Sequence, residues 1–319
     1  MAYILTNADF TPFDDVVVKP DQIQVNAGTP VTAQPGNDRV SGTYTSTTAS
    51  GSGIELRNGT PGTNASLLGS FGNDLFEGTS TITSTAGSAS GATAYGVRIR
   101  DYATLDTGWD NDVVRGRAIG SAITNARGIA MNTGARLLTD WGNDTVIGEA
   151  SGLTSAAQTG IEMVADTRID TGLGNDLITG RAEALAGTTG TVYGIRGFDS
   201  SEIRTGSGND VVIATASLDG VRQNGFGENS SGAGPMTIDL GSDNDVVRGF
   251  GSVKLKGGSG FDVYDLRDYK FSEFTAITKG SALTNEVSFS IGSITASTTG
   301  FEAFQFQDVA WSYQVLPVV

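Results

Sequence analysis

The chain reads as an all-β protein, a right-handed parallel β-solenoid of about seven coils with β-rich ends. Three observations lead there. A glycine-rich turn ending in aspartate recurs eight times, at Asp38, Asp74, Asp112, Asp144, Asp176, Asp210, Asp245 and Asp262. Self-similarity at a period of this size is the signature of stacked supersecondary units. Apolar residues keep fixed offsets from each aspartate, and helical periodicity is nearly absent.

The register is strict. Two residues after the aspartates stand Val40, Phe76, Val114, Val146, Ile178, Val212, Val247 and Tyr264. Seven before them stand Val31, Leu67, Leu105, Leu137, Ile169, Ile203, Ile238 and Leu255. β-Branched and aromatic residues on both sides of a tight turn predict two short strands joined by a sharp corner. Stacked coils would line these side chains into interior columns, about 4.7–4.9 Å from one coil to the next. A third mark is Gly followed by an apolar residue, at Gly96, Gly128, Gly160 and Gly194, always 14 residues before the fourth turn position (Asp110, Gly142, Gly174, Gly208). That side of the coil is fixed in length. The return arm, rich in Ala, Ser, Thr and Gly as in Ser151 to Thr159 and Ala184 to Thr191, absorbs the length variation and reads as a strand followed by a loop. Aspartate spacings of 36, 38, 32, 32, 34, 35 and 17 residues suit three strands and three corners per coil, with a tapering end.

The expected organisation is an N-terminal strand segment or cap over residues 1–30, the solenoid over 31–266, and a C-terminal β segment over 267–319 serving as cap, assembly or secretion region. Val16 to Val18 and Ile23 to Val25 predict strands before the first full coil. Val287, Phe289 and Ile291, then Phe304 and Phe306, alternate at period two near the other end. The tail from Tyr313 to Val319 fits either an export signal or an edge strand that pairs with a second subunit.

Composition narrows the function. The 319 residues include 45 glycines, no cysteine and no histidine, and carry a net charge of −15. Without cysteine there are no disulfides. Without histidine the usual zinc ligand and the commonest general base are gone. The negative charge argues against nucleic acid as a partner and for a hard cation. No stretch is long and apolar enough to span a membrane, and the first residues lack the basic and apolar regions of a cleaved signal peptide.

The turns at Thr171 to Asp176, Thr205 to Asp210 and Gly257 to Asp262, together with Gly142-Asn143-Asp144-Thr145-Val146, resemble the repeats-in-toxin (hemolysin-type) calcium-binding repeats, whose consensus is G-G-x-G-x-D followed by a large apolar residue. The resemblance covers about a quarter of the chain and marks it as an atypical long-coil member. The family repeats every nine residues and this chain near 34. Ser70 and Asp140 replace glycine at the second turn position, and Asp110 and Asp243 at the fourth. The resemblance implies Ca²⁺ held by Asp74, Asp112, Asp144, Asp176, Asp210, Asp245 and Asp262 with carbonyls at Gly172, Gly174, Gly206, Gly208, Gly258 and Gly260. Ca²⁺ takes six to eight oxygens, and glycines let carbonyls turn toward one point. The first copy, at Asp38, keeps only the end of the motif. The resemblance also implies secretion through a type I exporter to the cell exterior or surface.

A metal-free alternative is open. Each aspartate would accept backbone N–H groups in its own turn, beside a side-chain ladder of Asn37, Asn73, Asn111, Asn143, Asn175, Asn209 and Asn244. Asp106, Asp140, Asp170 and Asp239 are further oxygen donors or plain solvated strand ends. Phe71, Trp109, Trp141 and Leu173 share the third turn position, either covering the strands beneath or facing outward as a stacking surface. The function expected is therefore not enzymatic. It is a secreted calcium-binding structural protein, with head-to-tail self-association into filaments or a layer as the furthest extension of that expectation. The alternatives are a carbohydrate-binding adhesin on the aromatic row, and a β-helical polysaccharide lyase or epimerase using Arg98, Arg100, Tyr102 and Asp101.

Overall fold

Strands that recur at a fixed register stack level upon level, and the computed structural model arranges them in three long sheets. It describes the chain except residues 1, 29, 58, 61, 84–91, 123–124, 155–156, 186, 189 and 228–233. Each coil runs along a lead-in strand, through the aspartate turn, along a lead-out strand, around a loop and back along a return strand. The lead-in sheet includes Ser66–Phe71, Thr104–Trp109, Arg136–Leu138, Arg168–Asp170 and Glu202–Arg204; the lead-out sheet includes Arg39–Ser46, Leu75–Ile82, Val113–Ala122, Thr145–Thr154 and Leu177–Ala184; the return sheet includes Gly51–Arg57, Thr93–Arg100, Asn125–Asn132, Gln158–Val164 and Val192–Phe198. Pairing between these coils is parallel and in register, for example Val114↔Val146 and Leu105↔Leu137. The solenoid makes about six turns rather than seven. The difference lies at Asp245 to Asp262, where 17 residues supply a lead-in and a lead-out strand but leave no room for a full return arm.

Both apolar columns expected from the sequence point into one continuous core. Val40, Phe76, Val114, Val146, Ile178, Val212, Val247 and Tyr264 are fully buried, and Leu67 to Leu255 of the other column lie within 1% of it. Ile54, Val97, Ile129, Ile161 and Ile195 from the return strands close the third side. The apolar residue after each marked glycine is thus the return sheet's contribution to the core.

The glycines themselves have a separate reason. In each coil the lead-out and return strands press together at Gly42 and Gly53, Gly78 and Gly96, Gly116 and Gly128, Gly148 and Gly160, Gly180 and Gly194. A methyl group built on Gly116 would lie 2.1 Å from the Gly128 carbonyl oxygen, and the other four lead-out glycines come within 2.4 Å of theirs. Backbone meets backbone, which favours glycine; one coil further on Ala214 takes the lead-out place opposite Gly225. This pinch separates the main core from a thin outer wing with a small core of its own, lined by Ala94, Ala118, Ala126 and Ala150. The loops at the wing tip are where the return-arm insertions sit. Those expected within Ser151 to Thr159 and Ala184 to Thr191 fall partly outside the described residues.

The corner from return to lead-in strand is built by two consecutive residues with left-handed backbone: Asp101 and Tyr102, Thr133 and Gly134, Ala165 and Asp166, Asp199 and Ser200, with φ between 48° and 67°. Aspartate occurs in three of the four pairs but not at one fixed place, so the sequence pattern did not disclose them.

Parallel stacking extends beyond 31–266 at both ends. Val16–Lys19 already pairs with Arg39–Gly42, and Ala303–Phe306 with Val263–Leu266. The base is plugged by the buried side chains of Leu5 and Phe10. At the other end Ala276–Lys279, Val287–Ile291 and Ile294–Thr299 form an antiparallel meander over a cluster of aromatic rings that includes Tyr264, Phe274, Phe289 and Phe306. The tail turns back on its own chain: Val319 exchanges two backbone hydrogen bonds with Ile277, and Leu316 is buried.

Candidate functional site: the carboxylate file of the turns

The turn glycines adopt backbone angles that side chains disfavour: φ is 87° at Gly172, 131° at Gly174, 95° at Gly206, 122° at Gly208, 105° at Gly258 and 139° at Gly260. At Gly174 there is a second constraint, since a methyl there would overlap the Gly142 carbonyl below. Where the consensus glycine is missing, aspartate takes the same conformation, with φ 82° at Asp110 and Asp243 and 58° at Asp140. Short Asp side chains tolerate this region. Asp110 and Asp243 also use their carboxylates, accepting the N–H of Gly72 at 3.1 Å and of Gly208 at 3.2 Å.

The eight repeat aspartates are all buried. Their Oδ1 atoms form an unbroken file. Asp38 N–H donates to Asp74, Asp74 to Asp112, Asp112 to Asp144, Asp144 to Asp176, Asp176 to Asp210, Asp210 to Asp245 and Asp245 to Asp262, at 2.7–3.0 Å. The donor therefore belongs to the preceding coil, not to the aspartate's own turn, which corrects the metal-free geometry expected from sequence. Beside this file runs the asparagine ladder, in the opposite sense. Asn175 donates its backbone N–H and its amide to Asn143 Oδ1, at 2.8 and 3.1 Å, and the same pair of bonds links Asn37 through to Asn244.

Two members of the file escape the motif. Asp15 N–H donates to Asp38, and Asp262 N–H donates to Glu302 Oε2, each at 2.8 Å. The signal was present: Asp15 lies two residues before the core residue Val17, and Glu302 two before Phe304. A further buried column, Thr107, Thr139, Thr171 and Thr205 at the first turn position, also went unread. The hydroxyls of the last three donate to the carbonyl at or beside the same place in the next coil, at 2.9–3.3 Å.

The second oxygen of every repeat aspartate is the unusual feature. Oδ2 of Asp38, Asp74, Asp112, Asp144, Asp176, Asp210, Asp245 and Asp262 is buried with no hydrogen-bond partner. Burial disfavours the charged form, and neighbouring carboxylates add to it. Asp112 is pushed up to about 8, Asp74, Asp144 and Asp245 to about 7, and Asp210 and Asp262 to about 6; Asp38 and Asp176 are raised as well. The N–H bond from the preceding coil pulls the other way, as do the hydroxyls of Thr107, Thr139, Thr171 and Thr205 beside Asp112, Asp144, Asp176 and Asp210, and both are outweighed.

A buried, unpartnered carboxylate oxygen calls for a proton or a cation. The donor set suits a hard cation, since every group facing the file is an oxygen or an amide. Among the described residues no three acidic side chains converge on one point, so the balance of a calcium shell would come from carbonyl and hydroxyl oxygens. The second acidic row is separate. Burial raises Asp106 to about 6 with help from Asp140, and Asp140 in turn is raised by burial and Asp170.

The third-position residues stack one above another on the outside of the turn, joined by parallel bridges from Trp109 through Trp141 and Leu173 to Ser207. Trp109 and Trp141 are 44% and 54% exposed, so they do not fold over the strands. Their rings stack on each other, 4.9 Å apart and 9° from parallel, while Phe71 meets Trp109 edge-on. The faces a sugar would use are turned along the stack and occupied. Arg98 and Arg100 both bind Glu55, and the Tyr102 ring lies against Gly134 at the corner. Arg100 also pairs with Asp101 at 3.1 Å, so three of the lyase reading's four side chains are engaged in ion pairs.

Comparison with family models, with curated proteins and with solved structures returned no match. No helix among the described residues is long and apolar enough to cross a membrane.

Proposed function

We propose that the chain is a calcium-binding structural solenoid that works outside the cell, at the surface or in the extracellular matrix. The observation that carries this reading is the file of eight buried Oδ2 atoms without partners. Ionised carboxylates one coil apart repel by about 1 kcal/mol per pair even at the dielectric of water, and by more when buried. Asp74, Asp112, Asp144, Asp176, Asp210, Asp245 and Asp262 would hold the ions, with carbonyls of the turn glycines completing the shell. Bound calcium would supply positive charge along the file and so tie folding to a calcium-rich exterior. Export by a type I route belongs to the same reading and rests on the resemblance of the turns.

The second reading is a solenoid whose aspartates hold protons instead. The N–H to Oδ1 file and the asparagine ladder favour it, because they join the coils without any ion.

Calcium titration of chelator-stripped protein, followed by calorimetry, decides between the two. Cooperative uptake of several ions with a rise in melting temperature supports the first. No uptake, with an unchanged β-signal in chelator, leaves the second. Head-to-tail assembly is the furthest extension of the first reading. Its support is the edge strand Val16–Lys19, where Val16 and Val18 are exposed; Leu5, Phe10 and the C-terminal meander stand in its way. Electron microscopy showing only single particles at high concentration and saturating calcium would rule it out.

A further inference from the structure

We propose that the outer face of the return sheet binds an acidic polysaccharide. On a chain of net charge −15, this face gathers Arg57, Arg98, Arg100, Arg127 and Arg196 against Glu55 and Glu162, with Asp101, Asp166 and Asp199 along its corner edge. Neighbouring strands carry them at matched levels: Glu55, Arg98, Ala130, Glu162 and Arg196 share one row, and Arg127 lies beside Tyr95 in the next.

The two glutamates fix the arginines without using them up. Glu55 receives Arg100 at 3.0 Å, Arg98 at 3.3 Å and Arg57 at 3.7 Å; Glu162 receives Arg127 at 2.9 Å and Arg196 at 3.7 Å. A guanidinium brings five N–H donors and a carboxylate accepts about four, so surplus donors remain. Tyr95 lies under Arg98 and Arg127, 4.3 and 5.7 Å from its centroid, and Tyr193 and Phe198 hold Arg196. Packed this way, the side chains lose little further freedom on binding, and the Nη hydrogens not used by Glu55, Glu162, Asp101 and Tyr95 are the ones that can meet a ligand carboxylate.

The spacing suits a polymer, with strands about 4.8 Å apart presenting cations on each level from Gly51–Arg57 to Val192–Phe198 except Gln158–Val164, which carries Glu162. Single-stranded nucleic acid fits poorly, because its bases need free aromatic faces and those of Tyr95 and Tyr193 are covered by guanidinium groups. The inference does not depend on calcium in the turns.

The test is titration calorimetry with oligogalacturonates in calcium-containing buffer, with dextran as the neutral control and oligothymidylate as the competing polyanion. We expect binding that weakens with salt, falls at least tenfold in Arg57→Gln/Arg100→Gln/Arg196→Gln, and is unchanged in Arg181→Gln on the lead-out sheet. Circular dichroism checks the fold. Should the triple variant misfold, Arg57→Gln alone, at the rim of the face, should still weaken binding about threefold. Absence of binding at low salt, equal binding of dextran, tighter binding of oligothymidylate, or full binding by the folded variants would each overturn the proposal.

Discussion

Glycine is abundant both in the aspartate turns and in the wing, but for different physical reasons. In the turns it supplies backbone angles as well as close approach, since a methyl on Gly206 or Gly208 would lie 1.9 Å from a carbonyl oxygen of the preceding coil, yet aspartate replaces it at Asp110, Asp140 and Asp243. In the wing the conformation is ordinary and the limit is space: a methyl on Gly128 would lie 2.2 Å from the Glu149 nitrogen, and one on Gly148 2.3 Å from the Gly160 oxygen. Neither neighbour can rotate away. The turn asks for both conformation and space and the pinch for space alone, and alanine enters the pinch once, at Ala214 opposite Gly225.

The sharpest way to break that distinction is by alanine. Gly128→Ala should cost about 3 kcal/mol or more in denaturant unfolding, since overpacking against backbone cannot relax. Gly220→Ala, at φ 73° in open space, should cost about 1 kcal/mol. Equal losses would refute the comparison.

Within the turn, Asp144→Ala removes the acceptor of a buried N–H from Asp112 and should cost about 2 kcal/mol. Asp144→Asn keeps an acceptor and brings its own hydrogens, so in chelator it should be close to neutral. With calcium present it should remove one level of ion uptake. An asparagine variant as damaging as alanine in chelator would argue against protons on the file.

The same file predicts an unusual pH profile. Its aspartates titrate higher in the folded chain than the usual 3.8, so the native state binds more protons than the unfolded one over that range. In chelator, stability should therefore be greatest near pH 4 and decline as pH rises through about 6 to 8, lowering the melting temperature by several degrees. Calcium should flatten the decline. A stripped protein that grows more stable between pH 5 and 8 would contradict buried, unpartnered oxygens.

The outer aromatic stack should matter least. Trp141→Ala should cost about 1 kcal/mol through lost stacking, and it should leave any polysaccharide binding intact.

How far these features could be read in advance follows from what fixes them. The core columns were legible because Val40 through Tyr264 must all be apolar to share one interior. The asparagine ladder was legible because a primary amide both donates and accepts along the axis, and asparagine recurs at the same place in seven turns. The return corner was not, because Asp-Tyr, Thr-Gly, Ala-Asp and Asp-Ser all reach the same backbone pair with no common side chain. The return glycines were visible as a pattern, but their cause was hidden. Gly116 and Gly128 touch across the coil, and a contact between sheets leaves no periodic trace along the strand. The arginine face was glimpsed only at Arg98 and Arg100, since Glu55 and Arg127 join it from other coils.

One property of the paired ladders bears on how such a chain finds its structure. Every interior level offers the same donors and acceptors to the level above and the level below. Asp144 would be served by the N–H of Asp74 as well as by that of Asp112, and Asn143 by either neighbour's amide. The hydrogen bonds enforce alignment but carry no address. A folding chain held together this way can miscount, exchanging one coil for another without losing a ladder bond, or skipping a coil at the loss of that level's bonds alone. What tells one floor from the next must be the irregular parts: the unequal wing loops, the Phe71–Trp109–Trp141 stack, and the plugs at either end.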